Sequence, residues 1–299
     1  MHRKNRNHIG PAIIEMGTNK ITTIGRPFDY GYLTNRLIAI ISFLTFVSTT
    51  IVSTTHGETF SKSLLTGVGT GLFIFLLWAI SRELDPDNDW SAFVPVSLSL
   101  LILTFSERPM ILVFLWLLLI LRVVNHSTGM PAGIMDSLFI VLLGLTMTYY
   151  ISWIYGVITA VAFIIDSRLK DPARYHLPSG ILILFASIIV CIENEGLVFI
   201  RTLENLYPAI LGSILFIPVI VNGEKIVSVG DRTGKFLDTI RIRAAKLMAI
   251  LAFIGIAAIQ GEMNVLITSF MFCIFAGIGT YRITICIVAK TKKLSRNRG

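Results

Sequence analysis

Residues 60–86 read FSKSLLTGVGTGLFIFLLWAISRELDP, and the decisive feature is where the charge falls. Nothing ionisable lies between 64 and 80, and then Arg82, Glu83 and Asp85 arrive together before Pro86. An apolar run closed by a charged Asp-Pro turn reads as a helix that crosses a bilayer and stops at its surface. The run is continuous rather than alternating, so it is not a barrel strand, and lipid leaves no other spanning element than a helix. Gly67 and Gly71 form a GxxxG with Gly69 between them, which permits close helix approach; ordinary packing is the plain reading.

Outward from this segment, similar runs occupy 37–53, 91–105, 111–124, 138–150, 151–165, 181–192, 207–221, 247–259 and 265–281. The expected fold is therefore all-α, a polytopic transmembrane helix bundle of about 10 spans. Several runs fall short of the roughly 20 residues that cross a hydrocarbon core, so they thin the bilayer, extend into their flanks or re-enter. The stretch 148–156, TYYISWIYG, places Tyr149, Tyr150, Trp153 and Tyr155 where an interfacial aromatic belt belongs, and a tight hairpin is expected there.

Composition agrees, with 54% hydrophobic and 15% charged residues, against about 25% charged in soluble domains. The net charge of +8 gathers in terminal segments and loops beside apolar runs, which points to topology and anionic lipid and not to nucleic acid. Basic residues alternate with the spans. One side collects the N-terminal basics, Arg82, Arg122, the Arg168 group, the 225–246 group and the KTKKLSRNR tail, while Lys62, Arg108 and Arg201 fall on the other. Both termini are expected in the cytoplasm, of the plasma (inner) membrane in a bacterium. The expected organisation is a basic cytoplasmic segment at 1–36, a membrane domain at 37–290 and a basic cytoplasmic tail at 291–299. No early apolar core with a cleavage site marks a secretory signal.

Two echoes suggest duplication. SRELDP at 81–86 recurs as SRLKDP at 167–172, and GTNKITTIGRPFD at 17–29 resembles GEKIVSVGDRTGKFLD at 223–238, with STGMPAGIMD at 127–136 a looser copy. The expectation is a four-helix unit repeated in parallel, two copies plus a half, over approximately 17–124, 125–221 and 222–290. The runs KITTIG and KIVSVG are β-prone enough for small interfacial hairpins.

Chemistry-bearing residues concentrate in the charged loops. Asp85, Asp87 and Asp89 are the candidate metal ligands: alternating aspartates can offer oxygens to Mg²⁺, although Trp90 and Val96 stand where an EF-hand needs glycine and glutamate. Arg82, Arg168, Lys170, Asp171 and Arg174 are the candidate phosphate or substrate partners, since an acidic and a basic loop on one face can share a magnesium-phosphate. The competing reading makes DPDND a helix-ending turn and the basic loop a topological anchor. GDRTGK at 230–235 lacks the spacing of a phosphate loop. Cys191, Cys273 and Cys286 lie in apolar runs without CxxC spacing, and His2, His8, His56, His126 and His176 show no ligand pairing. No Asp, Glu, Lys or Arg sits near a span centre, where proton- and ion-coupled carriers commonly place one.

The placement of the two loops resembles intramembrane prenyltransferases of the UbiA type, which hold magnesium-diphosphate between two aspartate motifs. LDPDNDW differs from that family's NDxxDxxxD, and Asp166 with Asp171 replaces its DxxxD, so membership is not assigned. The expected function is a metal-assisted enzyme acting on a phosphate-bearing lipid at the cytoplasmic face, its partner the lipid bilayer. A transporter or flippase and a non-catalytic membrane subunit are the alternatives.

Overall fold

A computed structural model describes residues 22–104, 110–193, 206–221, 226–259 and 262–296. The basic N-terminal residues 3–20, Arg108 and Arg201 lie outside them. Among the described residues ten helices follow one another: α1 (Leu33–Thr55), α2 (Phe60–Leu84), α3 (Phe93–Leu103), α4 (Ile111–Asn125), α5 (Ile134–Tyr150), α6 (Trp153–Arg168), α7 (His176–Glu193), α8 (Tyr207–Val221), α9 (Thr239–Ala258) and α10 (Glu262–Arg296). Each expected apolar run falls largely within one helix, and the chain does turn back between Tyr150 and Trp153. No strand forms among the described residues; the KIVSVG segment contributes a lone antiparallel bridge, Val229 to Phe236.

Two helices outgrow their apolar runs. α9 begins at Thr239, where the Asp238 side chain accepts from the Ile240 amide and caps a first turn bearing Arg241, with Arg243 following in the second. α10 continues to Arg296, so the basic tail expected at 291–299 is helical as far as it is described. A hydropathy reading stops where charge begins, whereas a helix continues while its backbone remains paired.

Among the described residues four helices are long and apolar enough to cross a membrane: Leu33–Thr55, Phe60–Leu84, His176–Glu193 and the Val265–Thr291 part of α10. Side-chain polarity is inverted in the peripheral ones. α1 buries Thr34, Ile38 and Thr45 while exposing Ile40, Phe43, Leu44, Ile51 and Val52. α7 buries His176, Gly180, Ile183 and Ser187 while exposing Leu182, Phe185, Ile189 and Ile192. A water-soluble bundle arranges this the other way, because an exposed apolar belt of this extent drives association in water.

α4 and α9 sit at the centre; α4 packs on α2, α5, α6 and α9, and α9 on α6, α8 and α10. Small residues set the closest crossings. A Cβ on Gly67 would lie 2.6 Å from the Phe46 carbonyl oxygen, and one on Gly71 2.7 Å from that of Ser42, so the GxxxG seats α2 on α1. Gly277 and Gly279 do the same for α10, against Pro95 of α3 and the Leu215 carbonyl of α8.

Candidate functional site

The charged residues meet at one end of the bundle, where α1, α5, α7 and α9 begin and α2, α4, α6 and α8 end. Among the described residues the buried Asp, Glu, Arg and Lys side chains are Glu83, Asp85, Asp136, Asp166, Arg241 and Lys246, and all belong to this end.

Three of the connecting segments interlock, and they are the three that echo one another in sequence. Asp136 accepts from the Thr23 amide at 2.6 Å and the Thr23 hydroxyl at 2.8 Å; the Thr128 hydroxyl donates to Thr23 O at 2.9 Å. The Arg232 amide donates to Thr128 O at 3.1 Å, and its guanidinium to Thr22 O and Gly25 O. Gly129 has φ +84°, open to glycine at little cost, and a Cβ there would collide with Thr233.

Beneath these loops lie two buried carboxylates, one in the last turn of α2 and one in the last turn of α6, bridged by the end of α4. Glu83 accepts from Arg122 Nε at 3.1 Å and from Asn125 Nδ2 at 3.2 Å, with Arg26 Nη1 at 3.5 Å. Arg26 also pairs with Asp231. Burial works against its charge, but the fields of Glu83 and Asp231 prevail and push its pKa further up. Asp166, with 0% exposure, takes His126 Nε2 at 2.9 Å, His176 Nδ1 at 2.6 Å, Arg241 Nη1 at 2.7 Å and the Ala173 amide at 3.3 Å.

His176 continues the line: its Nε2 is 2.8 Å from Ser137 Oγ, and its ring stacks on Phe163. With Nδ1–H donating to Asp166, Nε2 accepts from the serine hydroxyl, the arrangement of a Ser-His-Asp triad. Ser137 is nevertheless buried, and Arg241 already neutralises Asp166. Those two facts make the line a brace holding α5, α6, α7 and α9 together, since fully satisfied buried networks rigidify what they join.

The expected metal ligands face three ways. Asp85 is buried and accepts from Asn88 Nδ2 at 2.9 and 3.1 Å; Asp87 accepts from Ser228 Oγ at 2.7 Å and from the Ser228 and Val227 amides; Asp89 pairs with Arg82. No group of three or more His, Cys, Asp or Glu among the described residues is placed to hold a metal ion. Arg168, Lys170, Asp171 and Arg174 are exposed; Asp171 turns the chain at φ +53°, and the Lys170 carbonyl accepts from Arg241. The acidic loop instead leans on the 227–228 segment and lies in the field of Lys246 of α9 and Tyr281 of α10.

Sequence reading missed the roles of His126, Ser137, His176 and Arg241. Local spacing carries no trace of the histidine pair, because His126 and His176 meet only through Asp166. Asp166 directly follows the apolar run 151–165 and Glu83 lies three residues past the run 64–80, but Glu193 also directly follows the run 181–192, so position along the chain does not single the two out.

Comparison of the chain with protein-family models, with curated proteins and with solved structures finds no match. The class that composition and fold support is an all-helical protein, among whose described helices four are long and apolar enough to cross a membrane, with a charged, interlocked end.

Proposed function

We propose that the chain is a multi-pass membrane enzyme acting on a phosphate-bearing lipid at its loop-bearing face, with Mg²⁺ as the assisting metal. One observation carries this reading: the six buried charged residues among those described all lie at one end of the bundle. Carriers coupled to ions commonly place such groups near mid-membrane, whereas chemistry on a headgroup needs them at the surface. The three aspartates remain the proposed metal side. Mg²⁺ is usually held by one or two carboxylates, completed by phosphate oxygens and water, so a single one of Asp85 and Asp89, which turn to different partners, suffices without a preformed cage. A transporter or flippase is the second reading, favoured by the interlocked loops, which could act as a closed gate.

In this reading the bundle crosses the membrane ten times with the loop-bearing end in the cytoplasm, and its four-helix units are parallel repeats. The repeat is supported by neighbour relations: α4, α5 and α6 pack on one another, and so do α8, α9 and α10. The test is thermal unfolding of purified protein with Mg²⁺ and a panel of isoprenoid and glycerol phosphates, comparing wild type with the double variant Asp85→Asn, Asp89→Asn. A ligand that binds only the folded state raises its stability by mass action. Joint stabilisation by metal and lipid phosphate that disappears in the variant is the expected result; a wild type indifferent to Mg²⁺ in every lipid would sink the enzyme reading.

A further inference from the structure

The segment between α8 and α9 folds back on itself. The Gly230 amide donates to Lys235 O at 2.8 Å and the Leu237 amide to Ser228 O at 3.0 Å, around the bridge from Val229 to Phe236. Extended backbone sends successive side chains to opposite faces, and here the two faces differ. One is locked inward: Ser228 Oγ donates to Asp87 and to Pro86 O, a Cβ on Gly230 would collide with the Gly129 backbone, and Leu237 is buried. The other is apolar and open, with Val227 70%, Val229 45% and Phe236 72% exposed. Three large apolar side chains held out this way are costly in water. The turn cannot fold them away, because Asp87 holds the Val227 and Ser228 amides and the Arg232 guanidinium is bound to Thr22 O and Gly25 O.

The open face continues into α9. Phe236 emerges opposite buried Leu237, and Ile240, four residues on, is again exposed. Ile240 begins a stripe of Ile240, Arg243, Leu247, Leu251 and Ile254, spaced by three or four residues and exposed along its length, while α4, α6, α8 and α10 pack on the other sides of the helix. In the topology proposed above that stripe faces lipid, so the turn extends a lipid-facing surface past the start of the helix. Charge fits the same occupant. Lys235 and Arg243 are exposed on the two elements that carry this face and make no ion pair among the described residues. The neighbouring carboxylates turn elsewhere, Asp87 to the inner face, Asp231 to Arg26 and Asp238 to the Ile240 amide. Apolar side chains flanked by free cations suit the headgroup layer of an anionic leaflet.

We propose that the 226–237 turn is a membrane-surface anchor: Val227, Val229 and Phe236 insert among the lipid headgroups at the loop-bearing end, and Lys235 and Arg243 hold anionic headgroups beside them. The anchor rests on the membrane topology proposed above and is independent of the enzyme reading.

The test places one fluorophore at a time on full-length protein without its native thiols, through Phe236→Cys, Ile240→Cys, Thr233→Cys or Leu251→Cys, in nanodiscs of phosphatidylcholine and phosphatidylglycerol. Each is quenched by aqueous iodide and by doxyl-labelled lipid. Positions 236 and 240 should be quenched by the lipid and shielded from iodide, and position 233, at the exposed tip, should behave the other way. If Phe236→Cys does not fold, Val229→Cys reports on the same face. Position 251 checks the topology: without lipid quenching there the topology fails and the anchor with it, whereas lipid quenching at 251 with iodide quenching at 236 overturns the anchor alone. Shielding of 236 from both quenchers would mean that a protein, a second copy or another chain, covers the face, and would also overturn the anchor. Arg243→Gln should lower the preference of position 240 for doxyl-phosphatidylglycerol over doxyl-phosphatidylcholine about fivefold, the effect of one surface cation. An unchanged preference removes the anionic headgroup from the proposal.

Discussion

Asp166 shows what one residue can organise. It accepts from two histidines, an arginine and a backbone amide contributed by α4, α7, α9 and the segment before α7. Asp166→Asn leaves Arg241 buried without its counter-charge, and the expected loss is about 3–5 kcal/mol, measured by denaturant unfolding in detergent. Asp231→Asn is the contrasting case. Its pair with Arg26 is partly open to solvent, with 26% and 24% side-chain exposure, and Glu83 still faces that guanidinium, so a change within about 1 kcal/mol is expected. Similar losses for the two variants would mean that Asp166 is no keystone. Neither role was legible in sequence, where an acid at a helix end looks the same whether it caps a turn or joins four helices.

At the scale of helices, packing is governed by where a side chain can be omitted. A Cβ on Gly279 would sit 2.2 Å from the Leu215 carbonyl oxygen, whereas one on Gly255 of α9 would meet only Ile154 and Ile158 carbons at 3.4 Å or beyond. Gly279→Ala should therefore cost about 1–3 kcal/mol by forcing α10 off α8. Gly255→Ala should be neutral or stabilising by up to about 1 kcal/mol, the gain in helix propensity. Equal melting temperatures for the two variants would contradict the close α8–α10 crossing. The GxxxG of α2 could be read in advance because its spacing is local; the partners of Gly277 and Gly279 could not, since they belong to α3 and α8.

For the whole molecule, the proposed ten-span topology puts Lys170 and Thr233 on one face and Lys62 on the other. Single cysteines at these exposed positions, on a background without the native thiols, should react with a membrane-impermeant maleimide from opposite sides of the membrane. Labelling of all three from one side would break the ten-span topology. The sequence alone determined the helical class, the ten helix positions, the turn between α5 and α6 and the segments that would carry charge, because a bilayer makes hydropathy a direct record of environment. It also marked three loops as alike. Only the tertiary structure decided that those loops lock into one another, that Asp85, Asp87 and Asp89 turn to separate partners, and that His126 and His176 converge on Asp166. Hydropathy is a property of each residue by itself, whereas pairing between charges depends on how helices distant in the chain are set side by side.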